Sequence, residues 1–332
     1  MSASQFPPPA SPSPASSSRS LASPSPSPSP ASLSSSSSSM RLWRPAAQRN
    51  LRNQWSKLST FRQQWVAACS GGKSHATSLV NAYLSQTFVP AMKFGALSDM
   101  VGIKEKTLKK LSKQQSSCRI KLLSSYKEMV AVVVEMVNVS SSLRCYMKPS
   151  SGSIIQFSGS KEDSDDAGDC GGIPVFNFLN VSAFEKMAEE LVEMFKREVM
   201  LKRLLVMELV SLSCEVPQPV KLSWSAELYH GEFDDLSKCS LYSMEVDEPI
   251  LPRLREDNLG ISSVSHTNQP TSEILQVCGI CFQEKSSVKI YLTRSFFAMQ
   301  IYLTAWLAEI NIDSHRVDEI LAMAGEEIRL TF

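Results

Sequence analysis

The sequence predicts an all-α protein: an elongated antiparallel helical bundle or coiled coil behind a disordered N-terminal tail. Three observations carry that expectation. Apolar residues recur at 3- and 4-residue steps over long stretches, which places them on one face of a 3.6-residue helix. The breaks between those stretches are marked by Gly, Pro and Ser, the residues that punctuate helices. Finally, residues 1–39 are almost entirely Ser, Pro and Ala. Such a stretch cannot bury enough apolar surface to offset its ordering entropy.

The tail, taken as residues 1–45, holds six Ser-Pro dipeptides at Ser11, Ser13, Ser23, Ser25, Ser27 and Ser29. No Asp or Glu precedes Asp99 while nine Lys or Arg do, so residues 1–98 carry about +9 and the remainder about −8, which sum to the formal net charge of +1. An acid-free, Ser-rich start with Arg41, Arg44, Arg49 and Arg52 suits either an organelle transit peptide or a phosphorylatable nuclear tail. Met40 offers an internal start that would remove the tail.

Residues 46–147 read as a helical hairpin region. Leu51, Trp55, Leu58, Trp65 and Cys69 step by 4, 3, 7 and 4, a heptad-like seam for a first helix. Gly71-Gly72 is expected to stop it. Ser74 or Thr77 can then cap a second helix bearing Leu79, Val80, Tyr83, Leu84 and Phe88, closed by Pro90. After a loop to Gly102, Leu108, Leu111, Gln115, Cys118, Leu122, Tyr126, Met129, Val133 and Val137 predict the longest element, Lys104 to Met147. Its Lys-rich start is disfavoured by the helix dipole. Its Val-rich centre could be a strand, but length and unbroken period favour helix.

Residues 148–178 form a Ser/Gly linker with the acidic knot Lys161–Asp166. The most legible helix follows, over 179–214. Ser182 and Glu185 make an S-x-x-E capping box. Phe184, Met187, Ala188, Leu191, Met194, Phe195, Leu205, Val206 and Leu209 then make one broad apolar face. Glu198 and Lys202 interrupt that face as an i,i+4 pair, the kind of polar step that fixes register or partner choice more than stability. Pro217 and Pro219 end the helix. Residues 215–300 are expected to be irregular, and 301–332 to hold two helices, the second (Ser314–Ile328) capped by Asp313 or Ser314.

The run FEKMAEELVEMFKREVMLKRLLVMEL, led in by Pro174-Val175-Phe176, resembles the signature helix of the cyclin-dependent kinase 2-interacting protein (CINP) family. Phe184, Leu191, Glu193, Met194, Phe195, Glu198, Leu201, Lys202 and Arg203 occupy the pattern's places. Trp55-x-x-Leu58 and Tyr302-Leu303-x-x-Trp306-Leu307 match further segments in the right order. The resemblance spans roughly 50–147, 173–213 and 301–328. It implies a nuclear, chromatin-associated adaptor that links a cyclin-dependent kinase and the origin-firing kinase at replication origins. It also implies support of the DNA-damage checkpoint, and membership of an AAA-ATPase assembly serving replisome turnover and ribosome maturation. The partner-binding residues it points to are Phe184, Leu191, Met194, Phe195, Glu198, Leu201, Lys202, Arg203 and Trp306. The Ser/Pro tail and the long 215–300 segment depart from the family pattern, which leaves a plastid-targeted structural coiled coil as the alternative.

The residues themselves suggest no catalysis, cofactor or metal. Cys278-Gly-Ile-Cys281 lacks the second ligand pair a structural zinc needs. His75, His230, His266 and His315 share no neighbourhood with an acidic or nucleophilic motif, and no phosphate-cradling glycine loop occurs. Eight cysteines, mostly single, suggest reduced thiols. Nine cations spread over 98 residues make no dense nucleic-acid patch. The longest apolar run, Met129–Val134, is too short to cross a membrane. Within 277–300, VCGICFQEKSSVKIYLTRSFFAMQ reads as a translated intron: its codons accommodate splice signals, and Gln276 would run directly into Ile301.

Overall fold

Three long helices set the architecture, and the side chains joining them fix their directions. The computed structural model describes residues 31–147, 155–156, 167–212, 222–255 and 288–331. The Ser-Pro repeats, the acidic knot, Pro217, Pro219 and the CxxC lie outside the described residues. Helix α1 is Ala31–Phe88, α2 is Ile103–Ser140 and α3 is Val181–Val210. Trp43 Nε1 donates to Cys145 O (3.0 Å) and Asn50 Nδ2 to Leu143 O (3.0 Å), while Gln115 meets Gln86 at the other end. Thus α2 runs antiparallel to α1. Arg144 grips Glu185 through two bonds (2.6 and 2.9 Å) and Arg119 reaches Val210 O (3.2 Å), so α3 is antiparallel to α2. Trp55 against Phe184 (6.0 Å) and Trp65 edge-on to Phe195 (5.2 Å) run α3 alongside α1 in the same direction.

The smaller elements decorate this trio. Tyr146–Met147 (β1) pairs with Ile155–Gln156 (β2), and Tyr242–Ser243 (β3) with Glu248–Pro249 (β4), both antiparallel. Between the two pairs lies α4 (Glu232–Lys238), and α5 (Val288–Ala308) and α6 (Ser314–Ile328) follow. The chain is mostly helical, as the periodicity predicts. One core runs through the six described helices, from Trp43, Leu51, Trp55 and Leu58 through Leu122 and Met129 to Leu191, Leu205, Leu236, Trp306 and Ile320.

Six expectations are corrected. First, α1 passes straight through Gly71-Gly72. A Cβ on Gly72 would lie 2.5 Å from Trp306 Cζ2, so this glycine is a notch for an indole rather than a stop. Second, the tail does not extend to residue 45. Helix starts at Ala31, Trp43 is buried, and Pro45 sits inside the helix. Third, the cap of α3 is Asn180, whose side chain accepts from Ala183 N (2.9 Å), while Glu185 serves Arg144 instead. Fourth, α2 stops at Ser140, and its carbonyl end turns into β1.

Fifth, part of the supposed linker is structured: Val175 O accepts from Arg44 Nε (2.9 Å) and Gln48 Nε2 (2.8 Å). The cap expected for the last helix is Asp313, which accepts from Arg316 N (3.0 Å). Sixth, 215–300 is not irregular throughout: α4, the β3–β4 pair and the start of α5 lie within it, and α5 is continuous across the suspected intron boundary, with Met299 buried.

Candidate functional site

The densest chemistry of the molecule lies on α3, where Glu198 through Met207 is buried without interruption. A helix stretch covered on all sides is normally apolar all round, yet this one holds Glu198, Lys202 and Arg203, each fully buried. The pair expected from sequence forms: Lys202 Nζ is 2.8 Å from Glu198 Oε1. Lys202 also donates to Trp306 O (2.5 Å) and sits 5.1 Å from the Trp306 ring centre. Glu198 Oε2 accepts Asn311 N (3.0 Å) at the α5–α6 turn. Trp306 Nε1 donates to Cys69 O (3.0 Å), and Trp65 Nε1 to Glu309 Oε1 (2.9 Å). Lys202 and Glu198 thereby tie α3 to α5, and Trp306 ties α5 to α1 beside the Gly72 notch.

Arg203 lies ~100° further round the helix and addresses a different neighbour. Its Nε is 2.9 Å from Glu232 Oε1, and its terminal nitrogens donate to Trp224 O (2.9 Å) and Ala226 O (2.7 Å). The guanidinium stacks 4.5 Å from the Trp224 ring centre. Glu232, fully buried, also accepts Tyr126 OH (2.7 Å) from α2 and Leu228 N (2.6 Å). One arginine and one glutamate thus hang the 222–250 segment on α2 and α3. Sequence reasoning picks out Arg203 but misses Glu232, Tyr126 and Asn311, because these partners lie 29, 106 and 113 residues from their mates and no local spacing reports such distances.

A third cluster secures the lead-in to α3. Glu327 Oε1 on α6 accepts three successive backbone amides, Asn177 N, Phe178 N and Leu179 N, at 2.6–3.0 Å. Desolvation works to raise this carboxyl, but the three amides together outweigh it and hold it below its ordinary value. Arg52 stacks over Phe176 (5.1 Å) and donates to Ile328 O (3.3 Å).

The arrangement is that of structural ion pairs. Burial raises Glu198, with Lys202 opposing. Burial, then Glu232, raises Tyr126 well above its usual range. Cys69 is pushed up to about 12, and Cys145 and Cys239 to about 11, chiefly by burial, so these thiols stay protonated and are poor nucleophiles. Among the described residues no group of three His, Cys, Asp or Glu could hold a metal, and no helix is long and apolar enough to cross a membrane.

Phe184, Leu191, Met194, Phe195, Glu198, Leu201, Lys202, Arg203 and Trp306 are all buried within this chain. Where the sequence reading turns these nine toward a partner, the structure turns them toward the chain's own core. No family model matches the chain, and neither does any curated protein or solved structure.

Proposed function

We propose that this chain is a non-enzymatic adaptor or scaffold subunit of the CINP kind, whose elongated helical bundle, coiled-coil-like along the α1 seam, offers its outer faces to protein partners. Those partners would be a cyclin-dependent kinase and the origin-firing kinase at replication origins, and the subunits of an AAA-ATPase assembly in replisome turnover and ribosome maturation. ATP hydrolysis and phosphoryl transfer would belong to them. One observation carries the reading. The three segments that bear the resemblance, far apart in sequence, meet in one core: Trp55 lies 6.0 Å from Phe184, Phe176 lies 6.1 Å from Phe184, and Trp306 lies beneath Lys202. Residues that pack as a unit are the ones a shared fold would keep together. The nine buried residues that the resemblance points to then act by shaping the bundle, and binding falls to what surrounds them.

The test is to purify the tagged full chain from its native cells and identify what accompanies it by mass spectrometry. Both kinase classes or the AAA-ATPase subunits are the expected companions. Import of residues 1–60 fused to a fluorescent protein into plastids, with neither kinase nor ATPase recovered, would overturn the proposal in favour of the plastid structural protein.

A further inference from the structure

The far end of the α1–α2 hairpin carries a surface that no other described element covers. Arg119 donates to Val210 O and Leu212 O, which sets the end of α3 beside it. From Ile103 to Arg119, 16 residues (119 − 103), α2 runs on past that end, about 24 Å at 1.5 Å per residue. The last turns of α1 accompany it, joined through two short 3-10 turns at Val89–Ala91 and Gly95–Leu97.

This tip is apolar where it should be polar. Val101 is 97% exposed, and Phe88, Met92, Leu97 and Met100 are each about half exposed. Five large apolar side chains exposed within one short stretch of chain mark a contact site, and methionines suit one that must adapt to its occupant. Beside it runs a band of cations. Lys93, Lys106, Lys109, Lys110 and Lys113 are exposed, and Lys104 leans over Phe94 (5.8 Å). Against these six stand only Asp99 and Glu105, a local excess of +4 (6 − 2) over residues 93–113. The lysines crowd the N-terminal turns of α2, where the helix dipole disfavours positive charge. Neither the exposed apolar groups nor the misplaced cations stabilise the folded chain, so their explanation lies in what the tip meets.

We infer that this tip docks an acidic protein segment with an apolar face. Its carboxylates lie over the lysine band and its apolar side chains sit among Met92, Leu97, Met100 and Val101. The exposed run of α2 is long enough to lie along a helix of four or five turns. Lys106, Lys109, Lys110 and Lys113 share one side of α2, with no arginine and no exposed aromatic row among them. Base stacking therefore has no platform here, and a bilayer meeting the hairpin end-on would reach only the apolar loop. The inference does not depend on which assembly the chain joins.

The full chain is titrated, by fluorescence anisotropy, into a labelled synthetic amphipathic helix of about 18 residues, with Glu on one face and Leu on the other. Saturable binding is expected, weakening as salt rises. Two variants are compared: K106E/K109E/K110E/K113E, and M100S/V101S. All six side chains are exposed, so melting temperatures should stay at the parent value and certify the fold. Each variant is expected to weaken binding by about tenfold or more, as is replacing Leu by Ser in the peptide. The inference fails if the peptide does not saturate, or if binding is untouched by either variant. It also fails if vesicles containing phosphatidylserine, or a short DNA duplex, bind the tip in preference to the peptide.

Discussion

Replacing Lys202 by Met keeps the aliphatic stem in the core and removes only the charge. Its Nζ lies 2.8 Å from Glu198 Oε1 and 2.5 Å from Trp306 O, with both side chains at 0% exposure. The variant leaves a buried carboxylate whose remaining hydrogen bond is from Asn311 N, on Oε2. Breaking one partner out of a buried pair costs about 3–5 kcal/mol. At about 2–4 °C per kcal/mol for a folded unit of this size, that is a fall of roughly 6–20 °C in Tm. The cost is pH-dependent, and its sign follows from Glu198. Burial already raises its folded carboxyl above the unfolded value, with Lys202 opposing; without Lys202 the value rises further. A raised carboxyl binds its proton more tightly in the folded state. Its contribution to stability is therefore fully present below the unfolded carboxyl range and is lost as pH rises through the folded value. Urea denaturation followed by far-UV circular dichroism should show K202M less destabilised at pH 5 than at pH 8. The double variant E198L/K202M should recover most of the loss, because no buried charge is then left alone. Equal losses at both pH values, or a double variant as unstable as the single, would refute this account.

Three further outcomes are expected. G72A should destabilise the chain by about 1–3 kcal/mol through overpacking, because its Cβ would meet Trp306 at 2.5 Å. G71A, whose Cβ meets Ser125 Oγ at an ordinary 3.5 Å, should gain up to about 1 kcal/mol of helix propensity; paired thermal melts separate the two. Starting the chain at Met40 should leave Tm nearly unchanged. Starting at Ala46 deletes buried Trp43 and the Arg44 clamp on Val175 and Phe176, and should cost about 3–5 kcal/mol from the tryptophan alone. E327A should loosen the turn before α3, most visibly as faster amide exchange at Asn177, Phe178 and Leu179. In the parent chain the Glu327 contribution, from a lowered carboxyl, is present above the unfolded value and fades as pH falls through the folded one; in E327A that acid-side dependence should be absent.

What was legible in the sequence was periodic. The seam Leu51, Trp55, Leu58, Trp65 and the stripe from Phe184 to Leu209 are buried as their spacing dictates, and Glu198 meets Lys202 because four residues make one helical turn. What escaped was set by distant neighbours. Gly71-Gly72 carries a strong local stop signal, yet Trp306, more than 230 residues away, turns Gly72 into a packing notch. The capping box at Ser182 is chemically sound, but Arg144 takes Glu185, and Asn180 caps two residues earlier. Trp43 looked like part of a polar, Ser-rich tail, and only the carbonyl of Cys145 shows why the fold begins before it. Each miss has the same cause: a local preference worth about 1 kcal/mol yields to a tertiary contact worth several.

That ordering also explains why two consecutive residues of α3 are both charged and both buried. Ion pairs of this kind add little net stability, since desolvation consumes most of the attraction, but an unmatched arrangement is heavily penalised. Lys202 can be satisfied only if α5 presents Trp306 O and Glu198 is in place. Arg203, a turn-fraction away, can be satisfied only if Glu232, Trp224 and Ala226 come from the 222–250 segment, with Tyr126 of α2 completing Glu232. A slip of α3 by one residue would put one cation into the site built for the other, a compact ammonium or a planar fork, and bring Leu201 or Leu204 to the charge-lined site left behind. The pairs therefore act as a register lock on both sides of one helix. Replacing Arg203 by Lys tests it: the charge survives, but a single ammonium cannot serve Glu232 and two carbonyls through a fork. R203K should loosen the 222–250 segment, seen as increased amide exchange there, while the Lys202 side keeps its protection. Unchanged exchange over 222–250 in R203K would show that apolar packing, rather than the fork, fixes that segment.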